Sequence, residues 1–218
     1  MAKVKVAVLI SSRGTNMQSL VRASQEADFP AEIVSVLSNN PDAAGLKFAA
    51  ENGILTQIVD HREFDSREAF EEKISEYLEN LNIDLICLAG FMRLLTGEFV
   101  NRWRDRILNI HPSLLPAFKG LHVHERAIES GARFAGCTVH FVRPEMDDGP
   151  IIVQAVVPVL QDDTPDDLAA RILEQEHQIY PHALKLVAEQ RVHIHGAVTR
   201  IENPDEQALS LINPKCEV

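Results

Sequence analysis

The sequence predicts an α/β fold: a doubly wound, mostly parallel twisted sheet, with an antiparallel strand near the C-terminal half. Three observations lead there. From Lys3 to Ser130, strand-length apolar runs alternate with helical periodicity, the βαβα pattern of a parallel sheet covered on both faces. The first strand turns wholly apolar towards Ile10, as a central strand buried on both faces does. After residue 137 the alternation stops, and two strands follow each other with no helical segment between them.

Taken in order, Lys3 to Ile10 is the first strand, and Ser11 to Asn16 form the turn before a helix over Met17 to Ala27. A second strand covers Glu32 to Leu37. Pro41-Asp42 opens a helix that stops at Asn52-Gly53, a C-cap signal. Leu55 to Val59 is the third strand. Asp65-Ser66-Arg67-Glu68 resembles a capping box and starts a helix to about Leu81. Asp84 to Ala89 is the fourth strand, Phe91 to Leu95 a loop, and Gly97 to Trp103 a short helix. The fifth strand, Ile107 to Ile110, breaks at His111-Pro112, because proline cannot donate to a ladder. A short helix covers Val123 to Ser130. Cys137 to Val142 and Ile151 to Val159 pair as a hairpin joined by Arg143 to Pro150. Thr164-Pro165-Asp166-Asp167 sets Thr as N-cap, Pro at N1 and acids in the first turn of a helix to about Gln190. Residues 1–203 are expected to form a single domain, followed by a tail over 204–218.

Composition excludes some classes. The chain has 218 residues, 45% hydrophobic, with a formal net charge of -11. An acidic chain is a poor candidate for a nucleic-acid partner held through phosphate neutralisation. Cys87, Cys137 and Cys216 are far apart and lack C-x-x-C spacing, which points to reduced thiols and a cytoplasmic setting. The first ten residues read as one strand with lysines inside it, too short and polar for a signal peptide or membrane span.

Four constellations carry chemistry. Asn109 and His111 share one face at the C-terminal end of the fifth strand, where open α/β sheets bind ligands, and together they suit an oxyanion. Gly14, in Ser11 to Asn16, lets backbone approach a ligand, and the helix that follows offers free N–H groups to an anion; a plain capped turn would look the same. Glu145 to Pro150 is either a solvated acidic turn or the source of a carboxylate for His111. Glu176 lies beside the apolar stripe of Leu168, Ile172, Leu173, Ile179 and Leu184, and a buried carboxylate needs a partner, either a substrate amine or an Arg. His122 and His124 have no third ligand at convincing spacing, so no metal site is expected.

The motifs S-S-R-G-T-N at 11–16, L-A-G-F-M-R-L-L at 88–95, N-I-H-P-S-L-L-P from Asn109, G-L-H-x-H from Gly120, D-D-G-P at 147–150 and Q-E-H-Q-I-Y-P at 175–181 resemble the folate-dependent formyltransferase family. Within it they are most similar to the branch that formylates phosphoribosylglycinamide in purine synthesis. The resemblance covers about Val4 to Val192 and implies a Rossmann-like formyltransferase fold. It implies 10-formyltetrahydrofolate as co-substrate, with no metal, nucleic acid or membrane, in a monomer or homodimer. It implies a catalytic triad of Asn109, His111 and Asp147. Phosphate would be bound by Gly14, Thr15 and Asn16, and the substrate amine by Glu176. Folate would lie along Arg67, Met92, Arg93, Leu94, Leu95, Val100 and the loop around Asp147. One departure is Leu173, one turn before Glu176, where relatives tend to carry a polar or basic side chain; Arg13, in the opposite wall, is expected to supply part of that phosphate affinity. The alternatives are a formyl-folate hydrolase and a non-catalytic folate or nucleotide binder; a transfer-RNA formyltransferase would want a basic surface that this acidic chain is not expected to offer.

Overall fold

The computed structural model describes residues 2–204 and 211–214. Nine strands and six α-helices follow in order: β1 (Val4–Ile10), α1 (Thr15–Ser24), β2 (Ala31–Ser38), α2 (Ala44–Glu51), β3 (Leu55–Ile58), α3 (Arg67–Asn80), β4 (Leu85–Leu88), α4 (Gly97–Arg102), β5 (Ile107–His111), α5 (Val123–Glu129), β6 (Phe134–Phe141), β7 (Ile151–Pro158), α6 (Pro165–Ala188), β8 (Val192–His195) and β9 (Val198–Ile201). Seven strands form one sheet in the order β3-β2-β1-β4-β5-β6-β7. The first five are parallel; β6 runs antiparallel to β5 and β7 antiparallel to β6.

The strand order reverses between β1 and β4. The loops after these two strands therefore part on opposite sides and open the crevice where such sheets bind ligands. Two apolar clusters cover the two faces. One gathers Val6, Val8 and Ile10 with Met17, Leu20 and the buried side of α6. The other gathers Ala7, Leu9 and Ile86 with Phe70, Ile74 and Trp103. Val6 to Ile10 are fully buried, which is why β1 reads as an unbroken apolar run.

Helix α6 spans the site side of the sheet. Thr164 caps it in a reciprocal capping box with Asp167, as the sequence leads one to expect. Buried Tyr180 places its hydroxyl 3.0 Å from the Leu88 carbonyl and 3.1 Å from the Leu108 carbonyl. Pro181 follows inside the helix.

The differences from expectation lie at boundaries and at one missed pair. Helix α1 begins at Thr15 rather than Met17, and α2 at Ala44 rather than Pro41, because Asn40 to Ala43 close a hydrogen-bonded turn first. Strand β6 begins at Phe134. The antiparallel pair β8–β9 was not anticipated; it turns at Gly196 and docks on β7 through a 2.5 Å bond from Thr199 Oγ1 to the Ile151 carbonyl. Most of the 204–218 tail, with Cys216, lies outside the described residues.

Candidate active site

The site is built at the C-terminal end of β5. The antiparallel register sets Asn109 opposite His140 and His111 opposite Thr138. His140 Nδ1 lies 2.9 Å from the Phe141 carbonyl. A carbonyl only accepts, so Nδ1 carries a hydrogen. Burial holds His140 below the ordinary imidazole pKa, outweighing the opposite pull of that bond and of Asp147. The ring is then neutral, and its bare Nε2 accepts from Asn109 Nδ2 at 3.2 Å. This contact orients the Asn109 amide and leaves its second N–H available.

His111 is buried, with Nε2 3.1 Å from the Phe118 carbonyl, so Nε2 too carries a hydrogen. Its Nδ1 faces Asp147 Oδ2 at 3.5 Å. Asp147 Oδ2 also accepts the Gly120 N–H at 2.8 Å. Asp147 stands in the left-handed region, φ 51°, which aims its carboxylate inward from the acidic loop. Gly149 follows because a Cβ there would come within 1.6 Å of the Phe141 carbonyl oxygen.

A cleft of about 150 Å³ opens beside these groups, lined by Arg93, Leu94, Leu95 and Val100 on one wall and by Val142 to Asp147 on the other, with Asn109 and His140 at its floor. Arg93 Nε is buried in it without a partner. Two expected folate residues lie apart: Met92 is 70% exposed and Arg67 sits exposed at the start of α3, and neither lines the cleft. Ser66 caps that helix, its hydroxyl accepting the Ala69 N–H at 3.1 Å, and Arg67 is the first helical residue.

Across the crevice is the α1 turn. Gly14 has φ 62°, and a Cβ there would sit 3.1 Å from Met17 Cε, so only glycine makes this turn without displacement. Thr15 and Asn16 begin α1 and contribute free N–H groups. Arg13 is exposed. Ser11 ties this turn to the cleft wall: its hydroxyl donates to Asn39 Oδ1 at 2.5 Å and accepts the Met92 N–H at 2.8 Å. Glu176 is 6% exposed, and its partner within the chain is Asn16 rather than an Arg: Asn16 Nδ2 donates to it at 2.6 Å. Burial raises the Glu176 carboxyl above the ordinary range, against the lowering effect of that bond. Asn16 Oδ1 is left buried and unpartnered. Leu173 is half-buried on the same helix.

The Formyl transferase family model matches residues 4–184. The chain belongs to the formyl transferase family. Among its relatives, the trifunctional purine biosynthetic protein adenosine-3 of Gallus gallus is 49% identical over 192 residues, 88% of this chain; the chain spans 19% of that protein's length. The phosphoribosylglycinamide formyltransferase of Haemophilus influenzae is 44% identical over 87% of this chain and 90% of its own. The crystal structure of glycinamide ribonucleotide transformylase 1 from Symbiobacterium toebii superposes with a TM-score of 0.89 at 47% identity, covering 91% of this chain and 94% of that one.

In this formyl transferase the structure brings Asn109, His111 and Asp147 together, and sets Gly14, Thr15, Asn16 and Glu176 around one buried contact. The residue that sequence reasoning missed is His140. The signal was present: Thr138 and His140 are polar at alternate positions of an otherwise apolar strand, which puts both on one face. Among the described residues, no group of three metal-ligating side chains clusters, and no helix is long and apolar enough to cross a membrane.

Proposed function

We propose that this formyl transferase moves a formyl group from 10-formyltetrahydrofolate to the amine of 5'-phosphoribosylglycinamide in purine synthesis, in the cytoplasm. The observation that carries the reading is the juxtaposition of an amide and an imidazole at the β5 end with a cleft on one side and an anion-ready helix turn on the other. The near full-length relation to the Haemophilus influenzae enzyme supports the same substrates.

The amine is the nucleophile, so no covalent enzyme intermediate is needed. Its nitrogen bonds to the formyl carbon and makes a tetrahedral oxyanion. The free N–H of Asn109 is the donor for that oxygen, with the buried His111 imidazole beside it. Asp147, paired with His111, relays the proton, directly or through a water, from the attacking amine to the folate nitrogen as the carbon–nitrogen bond to folate breaks. Gly14 to Asn16 hold the phosphate, with Arg13 beside them, and Glu176 holds the amine end. This chemistry draws on hydrogen bonds and proton transfer alone and assigns no role to a metal.

The test is incubation with 10-formyltetrahydrofolate and candidate amines, following absorbance of the released folate together with formylation of the amine. Folate release without a formylated amine would mean a hydrolase. Binding of both ligands without turnover would mean a non-catalytic binder.

A further inference from the structure

Both ionisable members of the triad rest on the backbone of one loop, residues 118–122. The Phe118 carbonyl accepts from His111 Nε2 at 3.1 Å, and the Gly120 N–H donates to Asp147 Oδ2 at 2.8 Å. The distance and angle between imidazole and carboxylate therefore depend on where this loop sits. Its backbone does not hold that shape cheaply: Phe118, Gly120 and His122 all have positive φ, at 53°, 81° and 56°. An aromatic and a β-carbon-bearing imidazole in the left-handed region persist only where other contacts determine the conformation.

Those contacts converge on Arg126. From the first turns of α5 its Nη1 donates to the Lys119 carbonyl at 2.6 Å and reaches the Leu121 carbonyl at 3.3 Å. Its guanidinium carbon lies 5.6 Å from the centroid of the Phe118 ring. One planar cation thus grips the loop at three successive points, two by carbonyls and one by an aromatic face. Two further side-chain ties are the ion pair of Lys119 with Asp148 and that of His122 with Glu125, both at the surface, where solvent weakens them.

We propose that Arg126 is a positioning residue for formyl transfer: it holds the 118–122 loop in the shape that fixes His111 against Asp147. It touches neither substrate in this account and acts only through the loop. The inference rests on the triad reading above. It makes kcat, not substrate capture, the quantity that Arg126 controls, because the folate cleft and the phosphate turn lie on other segments.

The experiment compares Arg126→Ala and Arg126→Lys with the unmodified chain, with His111→Ala and Asp147→Asn as references. Arg126 is exposed, so its charged hydrogen bonds count at the low end, and Arg126→Ala should lower kcat about tenfold while KM for each substrate stays within about twofold. Arg126→Lys keeps the charge but cannot match two carbonyls and a ring face, so its kcat should also fall. Millimolar guanidinium should restore part of the kcat of Arg126→Ala and leave the unmodified chain unchanged. Unchanged kcat in Arg126→Ala, or a fall in kcat matched by rises in both KM values, overturns the proposal; so does full activity in Arg126→Lys, which also serves should the alanine variant fail to fold. If His111→Ala and Asp147→Asn remain active, the triad reading itself fails. If they are inactive while Arg126→Ala is not, only the role of Arg126 fails.

Discussion

Replacing Glu176 with glutamine should stabilise the free protein while damaging its function. Glu176 is 6% exposed with one neutral donor on it, the Asn16 amide at 2.6 Å, while Asn16 Oδ1 is buried with no partner. An amide in place of the carboxylate keeps an oxygen for Asn16 Nδ2 and offers its own N–H to Asn16 Oδ1. The added hydrogen bond contributes about 0.5–1.5 kcal/mol. Burial raises the carboxyl above its ordinary range, and the variant, which buries no charge, escapes that cost as well. The hydrogen bond alone predicts roughly 1–6 °C in Tm for a chain of this size, and the removal of the buried charge adds to it at neutral pH. The gain must depend on pH. The folded-state pKa is raised above the unfolded value near 4.5, so below that value Glu176 is protonated in both states and its charge costs nothing. As pH rises through 4.5 and then through the folded value, the native chain loses stability that the variant keeps. Thermal melts at steps from pH 4 to 8 should therefore show a difference that widens with pH. KM for phosphoribosylglycinamide should rise roughly ten- to hundredfold, the worth of a charged hydrogen bond, with folate affinity intact. A variant that melts below the unmodified chain at neutral pH, or at a constant offset across the series, refutes the reasoning.

His111→Ala and Asp147→Asn should each lower kcat by about 10²–10³ and combine non-additively, because they act as one unit; steady-state kinetics of the double variant checks this. Arg13→Ala should raise KM for the phosphorylated substrate with little change in kcat, and Leu173→Lys should recover part of the loss; an unchanged KM at low salt removes Arg13 from the site. Ser11→Ala strips the partner from the Met92 N–H and from Asn39 Oδ1, so calorimetry should show folate binding weakened by about tenfold.

The parts of the site that lie within one element were legible. Period-two alternation puts Asn109 and His111 on one face, and Pro112 marks where pairing stops. The capped turn at Gly14 was equally local, but its partner was not. Asn16 meets Glu176 across 160 residues, and nothing in either segment announces the other. His140 required knowing that β6 runs antiparallel to β5 in the register that pairs it with Asn109. The β8–β9 pair escaped because its strands have four residues each and follow a long helix, although Gly196 at the turn is a hairpin signal. Asp147 came from motif resemblance; as a residue it is one of several acids in an exposed turn, and only its left-handed backbone turns it towards His111.

The Tyr180 hydroxyl does for α6 what a peg does for a beam. It touches the carbonyls of Leu88 and Leu108, the residues that end β4 and precede Asn109, and it sits one turn beyond Glu176. The separation between the Glu176 carboxylate and the Asn109 amide is thereby set by rigid elements rather than by loops. Pro181 comes directly after the peg, and there the helix lacks the hydrogen bond that residue 181 would donate to the His177 carbonyl. That gap spans 177–181, the turn that joins Glu176 to Tyr180, so the two bonds from the Tyr180 hydroxyl to the sheet brace the helix where its own ladder is open. Bending at that gap would pull the Tyr180 hydroxyl from two sheet carbonyls at once, so the distance from Glu176 to Asn109 is held by the sheet as well as by the helix.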